Sequence, residues 1–294
     1  MTDLKQTSTA AQCTILIPIF NAQAYLNDLI TSIQQQTSSA WHCIFVNDGS
    51  TDTSLKILQD YAAAEKRFTV INQKNAGCGA ARNTALNLVK TQYLMFADQD
   101  DILHPQAVET ALNSISQTDI DCLLFGYKKF VHTPKIQPIN NKYTPATTSR
   151  NSTTLITGKR DSWSIFVWRY IFKTSSVIDT PFPHISGGED QAWMTELSWK
   201  NLKWAQIEPV LYFNRDNPLS QSRALSQNYI NCVFYSYKWI KERAALYDID
   251  PIWLEKFINH MAFMFKLSIH YRKITSRAFT VARWLRRLFC RANS

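Results

Sequence analysis

The first hundred residues alternate between short apolar runs and helix-length segments, and this alternation limits the fold more than any other feature of the chain. CTILIPIF is a β-branched run that reads as a buried strand, stopped by Pro18 and a turn at Asn21. Tyr25, Leu29 and Ile33 recur at helical spacing. WHCIFV is a second strand ending in the turn NDGSTD, where Asp52 is placed to cap a helix through Leu55, Leu58 and Tyr61. FTVINQ is a third strand, AARNTALNLV a helix of small residues, and YLMFA a fourth strand that breaks at DQDD. Strands alternating with helices predict an α/β fold with a parallel, Rossmann-like sheet flanked by helices. In such sheets ligands sit beyond the carboxyl ends of the strands, where NDGS and DQDD both fall.

After residue 120 the pattern changes. DCLLFGYKKF and WAQIEPVLYFNR read as sheet elements, and 132–154 is a Thr/Pro/Asn-rich loop. The aromatic stretch 163–172 reads as helical, GGEDQAW opens another helix, and beyond Ser226 the chain reads as a wholly helical extension. No internal repeat is visible.

The 294 residues suffice for one large α/β domain with a helical addition, and 45% hydrophobic residues exclude global disorder. The six cysteines (13, 43, 78, 122, 232 and 290) form no CxxC pair and no metal-ligand spacing, as reduced core residues of the cytoplasm do. The start, MTDLKQTSTAAQ, lacks the apolar stretch of a signal peptide, and no run approaches the roughly 20 apolar residues that cross a bilayer. The expectation is a protein that works where it is made.

The net charge of +9 is concentrated at the C-terminus, where residues 256–294 contain no Asp or Glu. On a helical projection of 276–291, Ala278, Val281, Ala282, Leu285, Leu288 and Phe289 share one arc. Arg277, Arg283, Arg286, Arg287 and Arg291 lie mainly opposite, with Phe279 and Trp284 at the boundary. That pattern fits a helix lying in an anionic membrane surface. It also fits a helix packed on the protein body with a solvated basic face. No nucleic-acid-reading motif accompanies it, so no nucleic acid partner is expected.

Asp98-Gln99-Asp100-Asp101 gathers three carboxylates at the end of an apolar strand. Such crowding is unfavourable without a cation, and hard oxygen ligands suit Mn²⁺ or Mg²⁺ bridging phosphates. A solvated acidic loop before the helix near Pro105 is the alternative. Gly187-Gly188-Glu189-Asp190 puts two more carboxylates at a helix start, where plain capping is also a sufficient reason for them.

Taken in order, ILIPIFN, VNDGSTD, QKNAGCGAARN and YLMFADQDD resemble glycosyltransferase family 2 of the GT-A fold. The resemblance is close over 13 to about 105 and looser to about 223. It implies an inverting transfer from a nucleotide-sugar donor, with a uracil base preferred, to a hydroxyl of a glycan or lipid-linked acceptor. Pro18, Ile19 and Phe20 would line the nucleotide pocket, with Asn75 beside it. Asp48 would accept from the base imide, unless it only closes an Asx-turn. Arg82 would reach the nucleotide, Asp98 would lie near the ribose, and Asp100 would ligate the metal, with Asp101 in a supporting role. Ala85 departs from the family's usual glycine, a small change inside a helix.

The same resemblance makes Asp190 the general base and Glu189 a residue orienting it or the acceptor. LYFNRDNPLSQSR resembles the closing segment, giving Tyr212, Arg215 and Ser220 as candidates near the diphosphate. A lone loop histidine, His184, carries little. The chain then divides into a polar tail (1–12), a donor half (13–118), an acceptor half (119–225) and the helical, basic region (226–294). The family implies surface polysaccharide assembly, capsule or lipopolysaccharide, on the cytoplasmic face of the inner membrane. A donor-binding scaffold without catalysis is the alternative, and the retained Asp98, Asp100 and Asp190 speak against it. A nucleotidyltransferase would need a Gly-rich basic signature where this chain has IPIFNAQAY.

Overall fold

β1 (Cys13–Ile19) is buried almost throughout, because it lies between β2 (Trp41–Asp48) and β4 (Tyr93–Phe96), both parallel to it. A strand covered on both faces has no solvent side, hence its continuous rather than alternating apolar run. The computed structural model describes residues 11–139, 143, 146–148, 164–217, 220 and 226–275. Within them β3 (Phe68–Gln73) extends the parallel block beside β2. The connections are α1 (Leu26–Gln34), α2 (Ser54–Ala64) and α3 (Cys78–Leu86), as the alternation predicts. Asp52 accepts from the Ser54 amide at 2.9 Å and from the Gln23 amide at 3.1 Å, tying the α2 start to the turn after β1.

Past β4 the sheet becomes mixed. β5 (Ile102–Leu103) and α4 (Ala107–Ser116) lead to β6 (Cys122–Phe130), β7 (Ala146–Thr148), β8 (Tyr170–Lys173), β9 (Trp204–Arg215) and the short α5 (Thr174–Val177). The described residues give a nine-stranded order β3-β2-β1-β4-β8-β6-β9-β5, with β7 on β9. β8 pairs antiparallel with both β4 and β6, so the purely parallel sheet expected from the sequence holds only for its first four strands. The predicted helix at 163–172 is corrected as well. The segment is a 3₁₀ turn at Val167–Arg169 followed by β8. Ile171 packs into the core on one face of the sheet, and Tyr170 and Phe172 pack into the core on the other. That two-residue alternation of aromatic and β-branched side chains belongs to a central strand.

α6 (Glu189–Trp199) is buried nearly all round. Trp193, Met194 and Leu197 pack on the sheet, and Ala192 packs against Val233, Tyr237 and Ile240 of α7 (Gln227–Ala244). A charged cluster also joins the two helices: Arg243 Nε donates to Glu196 at 2.9 Å, and Tyr247 Oη donates to the same carboxylate at 2.9 Å. Ser226 caps α7 by accepting from the Tyr229 amide at 3.1 Å. α8 (Pro251–Thr275) completes the helical layer. No described helix is long and apolar enough to cross a membrane. The amphipathic segment 276–291 lies outside the described residues.

Candidate active site

A cleft of about 1410 Å³ opens beyond the carboxyl ends of β1, β2 and β4, the place the sheet topology predicts for a ligand. Pro18, Ile19 and Phe20 border it as β1 ends, Asp48 as β2 ends, and Asp98 and Asp100 after β4. Asn75, Arg82, Glu189, Asp190, Arg215 and Ser220 border it too, so the structure brings the candidate residues together around one opening. His184 is exposed on the loop before α6.

Arg82 is the hub. It is 2% exposed, and its guanidinium bonds three carboxylates from different parts of the chain. Nη1 donates to Glu189 Oε1 at 2.8 Å and to Asp190 Oδ1 at 2.6 Å, while Nη2 donates to Asp98 Oδ1 at 3.1 Å. Arg82 Nε is buried without a hydrogen-bond partner. One cation facing three acids leaves the cluster negative. Burial disfavours each charge and the acids repel one another, with Arg82 opposing both effects. Asp98 is pushed up to about 6 and Asp190 to about 8, in each case chiefly by burial. Burial also works against the Arg82 charge, but Asp190 and its neighbours outweigh it and hold the guanidinium well above its usual range.

Asp48 is buried, and its oxygens organise a loop: Oδ1 accepts from Gln73 Nε2 at 2.8 Å and the Ala76 amide at 2.9 Å, and Oδ2 from the Gly77 amide at 2.9 Å. Gly49 sits at φ +71°, and a Cβ there would meet the Asn75 nitrogen at 2.8 Å, so only glycine lets this loop close on the turn. None of these partners lies in the NDGS turn itself, so the contacts are not those of an Asx-turn: Asp48 ties the end of β2 to residues 73–77.

One assignment of the closing segment changes. Tyr212 is fully buried and stacked on Trp168, and its hydroxyl donates to Asp101 at 2.8 Å while accepting from the Asp98 amide at 2.9 Å. It braces the DQDD turn from beneath and is too deep to touch a diphosphate. Asp101 is likewise internal, accepting from the Arg215 amide at 2.6 Å, consistent with a supporting role. Arg215 reaches the cleft, but its Nε donates to the Asp100 carbonyl at 2.7 Å and its Nη2 to Asp28 at 2.7 Å.

Gln99 has no role assigned from the sequence. Its Oε1 accepts from the Phe20 amide at 2.7 Å and its Nε2 donates to the Phe20 carbonyl at 3.1 Å. The side chain thus clamps the end of β1 to the acidic turn, and Phe20 can offer a ligand its half-open ring rather than its backbone. A side-chain amide matches a peptide group donor for acceptor, which is the signal that could have pointed to it.

Asp100 Oδ2 accepts from Asn217 Nδ2 at 2.8 Å, and its Oδ1 has no hydrogen bond among the described residues. There, no group of three or more His, Cys, Asp or Glu side chains is arranged to hold an ion by itself. A partly exposed carboxylate fits a hard divalent ion that completes its shell with water and substrate phosphate.

A model of glycosyl transferase family 2 matches residues 14–173, more than half of the chain. The chain belongs to that family. It is 25% identical to the uncharacterized glycosyltransferase YibD of Escherichia coli over 93% of its own length and 79% of YibD. It is 37% identical to the glycosyltransferase GlyA of Streptococcus pneumoniae over 40% of its length, and spans only 17% of that longer protein. S. aureus TarS 1–349 in complex with UDP-GlcNAc superposes with a TM-score of 0.67 at 19% identity, over 84% of this chain and 70% of that one. This likeness shows that the family 2 chain has the GT-A fold expected for it.

Proposed function

We propose that this family 2 transferase moves a sugar with inversion from a nucleotide-sugar donor, a UDP-sugar in the first instance, to a hydroxyl of a glycan or lipid-linked acceptor. The observation that carries the reading is the convergence of Asp98, Glu189 and Asp190 on Arg82 beside the Asp100 turn. Pro18, Ile19, Phe20, Asp48 and Asn75 form the nucleotide end of the cleft. Asp100 would hold Mn²⁺ or Mg²⁺, which when bound offsets charge on the leaving diphosphate.

Inverting displacement at the anomeric carbon needs a base for the acceptor proton. Asp190 suits it, since its raised proton affinity makes a stronger base than an ordinary carboxylate, and its side chain is 18% open to the cleft. Glu189 accepts from the Gly187 amide at 2.6 Å as well as from Arg82, and so holds the approach to α6 rather than taking a proton. Gly188, at φ +80°, would bring a Cβ within 2.8 Å of Ser236 Oγ, so glycine lets α7 press on the loop that presents the base.

A screen of UDP- and GDP-sugars for hydrolysis, run with Mn²⁺, with Mg²⁺ and with chelator, tests the reading. One or more donors should turn over with metal, and Asp100→Ala should abolish this while the protein stays folded. Undiminished turnover in chelator would remove the metal, and no turnover of any donor would favour the scaffold alternative.

We further propose that the basic segment 276–291 seats the enzyme on the anionic cytoplasmic face of the inner membrane, where capsule or lipopolysaccharide acceptors would be met. The support is the sequence pattern alone: an apolar arc opposite five arginines, each worth about 1 kcal/mol near an anionic surface. Full-length protein should pellet with anionic vesicles at low salt and a chain ending at residue 275 should not. Equal pelleting of the two would mean that the arginines merely face water.

A further inference from the structure

Beside the proposed base lies a set of aromatic rings that neither the donor nor the metal reading uses. Phe166 stacks on Trp168 with centroids 5.2 Å apart and planes at 17°, and Trp168 stacks on Tyr212 at 4.6 Å and 18°. Tyr127 meets Trp168 edge-on at 5.1 Å. The inner rings are buried, yet Phe166 at the outer end is 42% exposed and borders the cleft. Leaving a large ring open to water forgoes part of its burial, although single exposed apolar side chains are common enough to need no explanation.

Placement sets this one apart. Phe166 and Trp168 line the same cleft as Asp190, the proposed base, so the ring faces the space in which that carboxylate would meet an acceptor. The segment is also held still. The Phe166 amide donates to Ser164 Oγ at 3.2 Å, its carbonyl accepts from the Arg169 amide at 3.2 Å, and Arg169 Nη2 donates to the Phe125 carbonyl at 3.3 Å. Lys129 borders the same cleft and offers hydrogen-bond donors to a ligand there.

A flat, backed, partly open ring with polar groups around it complements one kind of acceptor. A pyranose carries axial C–H groups on a face and hydroxyls around its rim, so the face can lie on the ring while the rim hydrogen-bonds and presents one hydroxyl to the base. A linear polyol phosphate has no such face. We infer that Phe166, backed by Trp168 and Tyr212, is the platform for the terminal pyranose of the acceptor, oriented so that its nucleophilic hydroxyl reaches Asp190. This deepens the transferase reading and rests on it.

Saturation-transfer NMR on the full chain with UDP and diamagnetic Mg²⁺ tests it, with methyl β-D-glucopyranoside, methyl β-D-galactopyranoside and methyl N-acetyl-β-D-glucosaminide as probes and glycerol 3-phosphate as the ringless control. At least one pyranoside should bind in preference to glycerol 3-phosphate, with its ring C–H protons receiving most of the transfer. Phe166→Ala should weaken that binding about tenfold, the scale of one lost aromatic contact, and Phe166→Tyr should restore it. Calorimetric UDP affinity and the melting temperature should match the wild type in both variants. Unchanged pyranoside binding in Phe166→Ala, no pyranoside binding to the wild type, or preference for glycerol 3-phosphate would each overturn the inference. Absence of UDP binding to the wild type would instead overturn the transferase reading beneath it.

Discussion

The parallel block β3-β2-β1-β4 and the mixed block β8-β6-β9-β5 share one sheet but were built by different rules. In the first, β1, β2 and β3 are each followed by a helix, and β1–β2 and β2–β3 pair as neighbours in sequence. In the second, β8 is inserted between β4 and β6, and β9 returns from far along the chain to pair with β5, β6 and β7. Chemistry follows the same division. The first block supplies the DQDD turn and the Asp48 loop to the cleft, and the segments of the second supply Glu189, Asp190 and the ring stack that ends in Phe166. Arg82 belongs to the first block yet bonds both, which makes it the joint of the site.

If that joint is real, cutting it should give the largest effect. Arg82→Met leaves three carboxylates buried without their cation, a change that costs about 3–5 kcal/mol when one partner of a buried ion pair is removed. The loss should be greatest near pH 8 and smaller near pH 5, because protonation of Asp98 and Asp190 relieves the uncompensated charge. Denaturant unfolding at the two pH values checks this, and equal losses at both would mean that the acids are not what Arg82 holds.

Asp190→Asn separates the blocks instead of breaking their joint. Turnover should fall on the order of 10²–10⁴, as for loss of a general base, while UDP affinity, proposed to reside in the first block, should stay within about twofold. Collapse of UDP affinity with surviving turnover would make Asp190 a binding or capping residue. The smaller companion effect is on stability. In the folded chain Asp190 keeps its proton up to about 8 instead of the ordinary 3.8, so the folded state binds more protons across that window. Stability therefore falls as pH rises through it. The neutral amide introduced by Asp190→Asn escapes that penalty, and the variant should be more stable than wild type at pH 8 by roughly 1 kcal/mol or more.

Legibility in the sequence followed the same line. β1 to β4 and their helices could be read because periodicity and turn residues are local signals, and residues of all four ordered motifs border one cleft. β8 was misread because aromatic side chains at 163–172 suit a helix or a buried strand equally, and only the partners on both sides decide between them. Tyr212 was misread for a related reason. Its place in a polar segment suggested a ligand contact, but burial turned its hydroxyl toward Asp101 and the Asp98 amide. The Arg82 hub and the Gln99 clamp span 107 and 79 positions along the chain, beyond the reach of any local pattern.

The central claim is that Asp190, held by Arg82 in a buried acidic cluster, takes the acceptor proton. The pH dependence of kcat/KM for the donor, which reports groups of the free enzyme, tests it most directly. Wild-type activity should rise with pH to a plateau, with its midpoint near the proton affinity of Asp190, at about 8, and the residual activity of Asp190→Asn should lack that limb. A wild-type profile that is flat from about pH 5 to about pH 9, or one that Asp190→Asn reproduces at lower amplitude, would contradict the account.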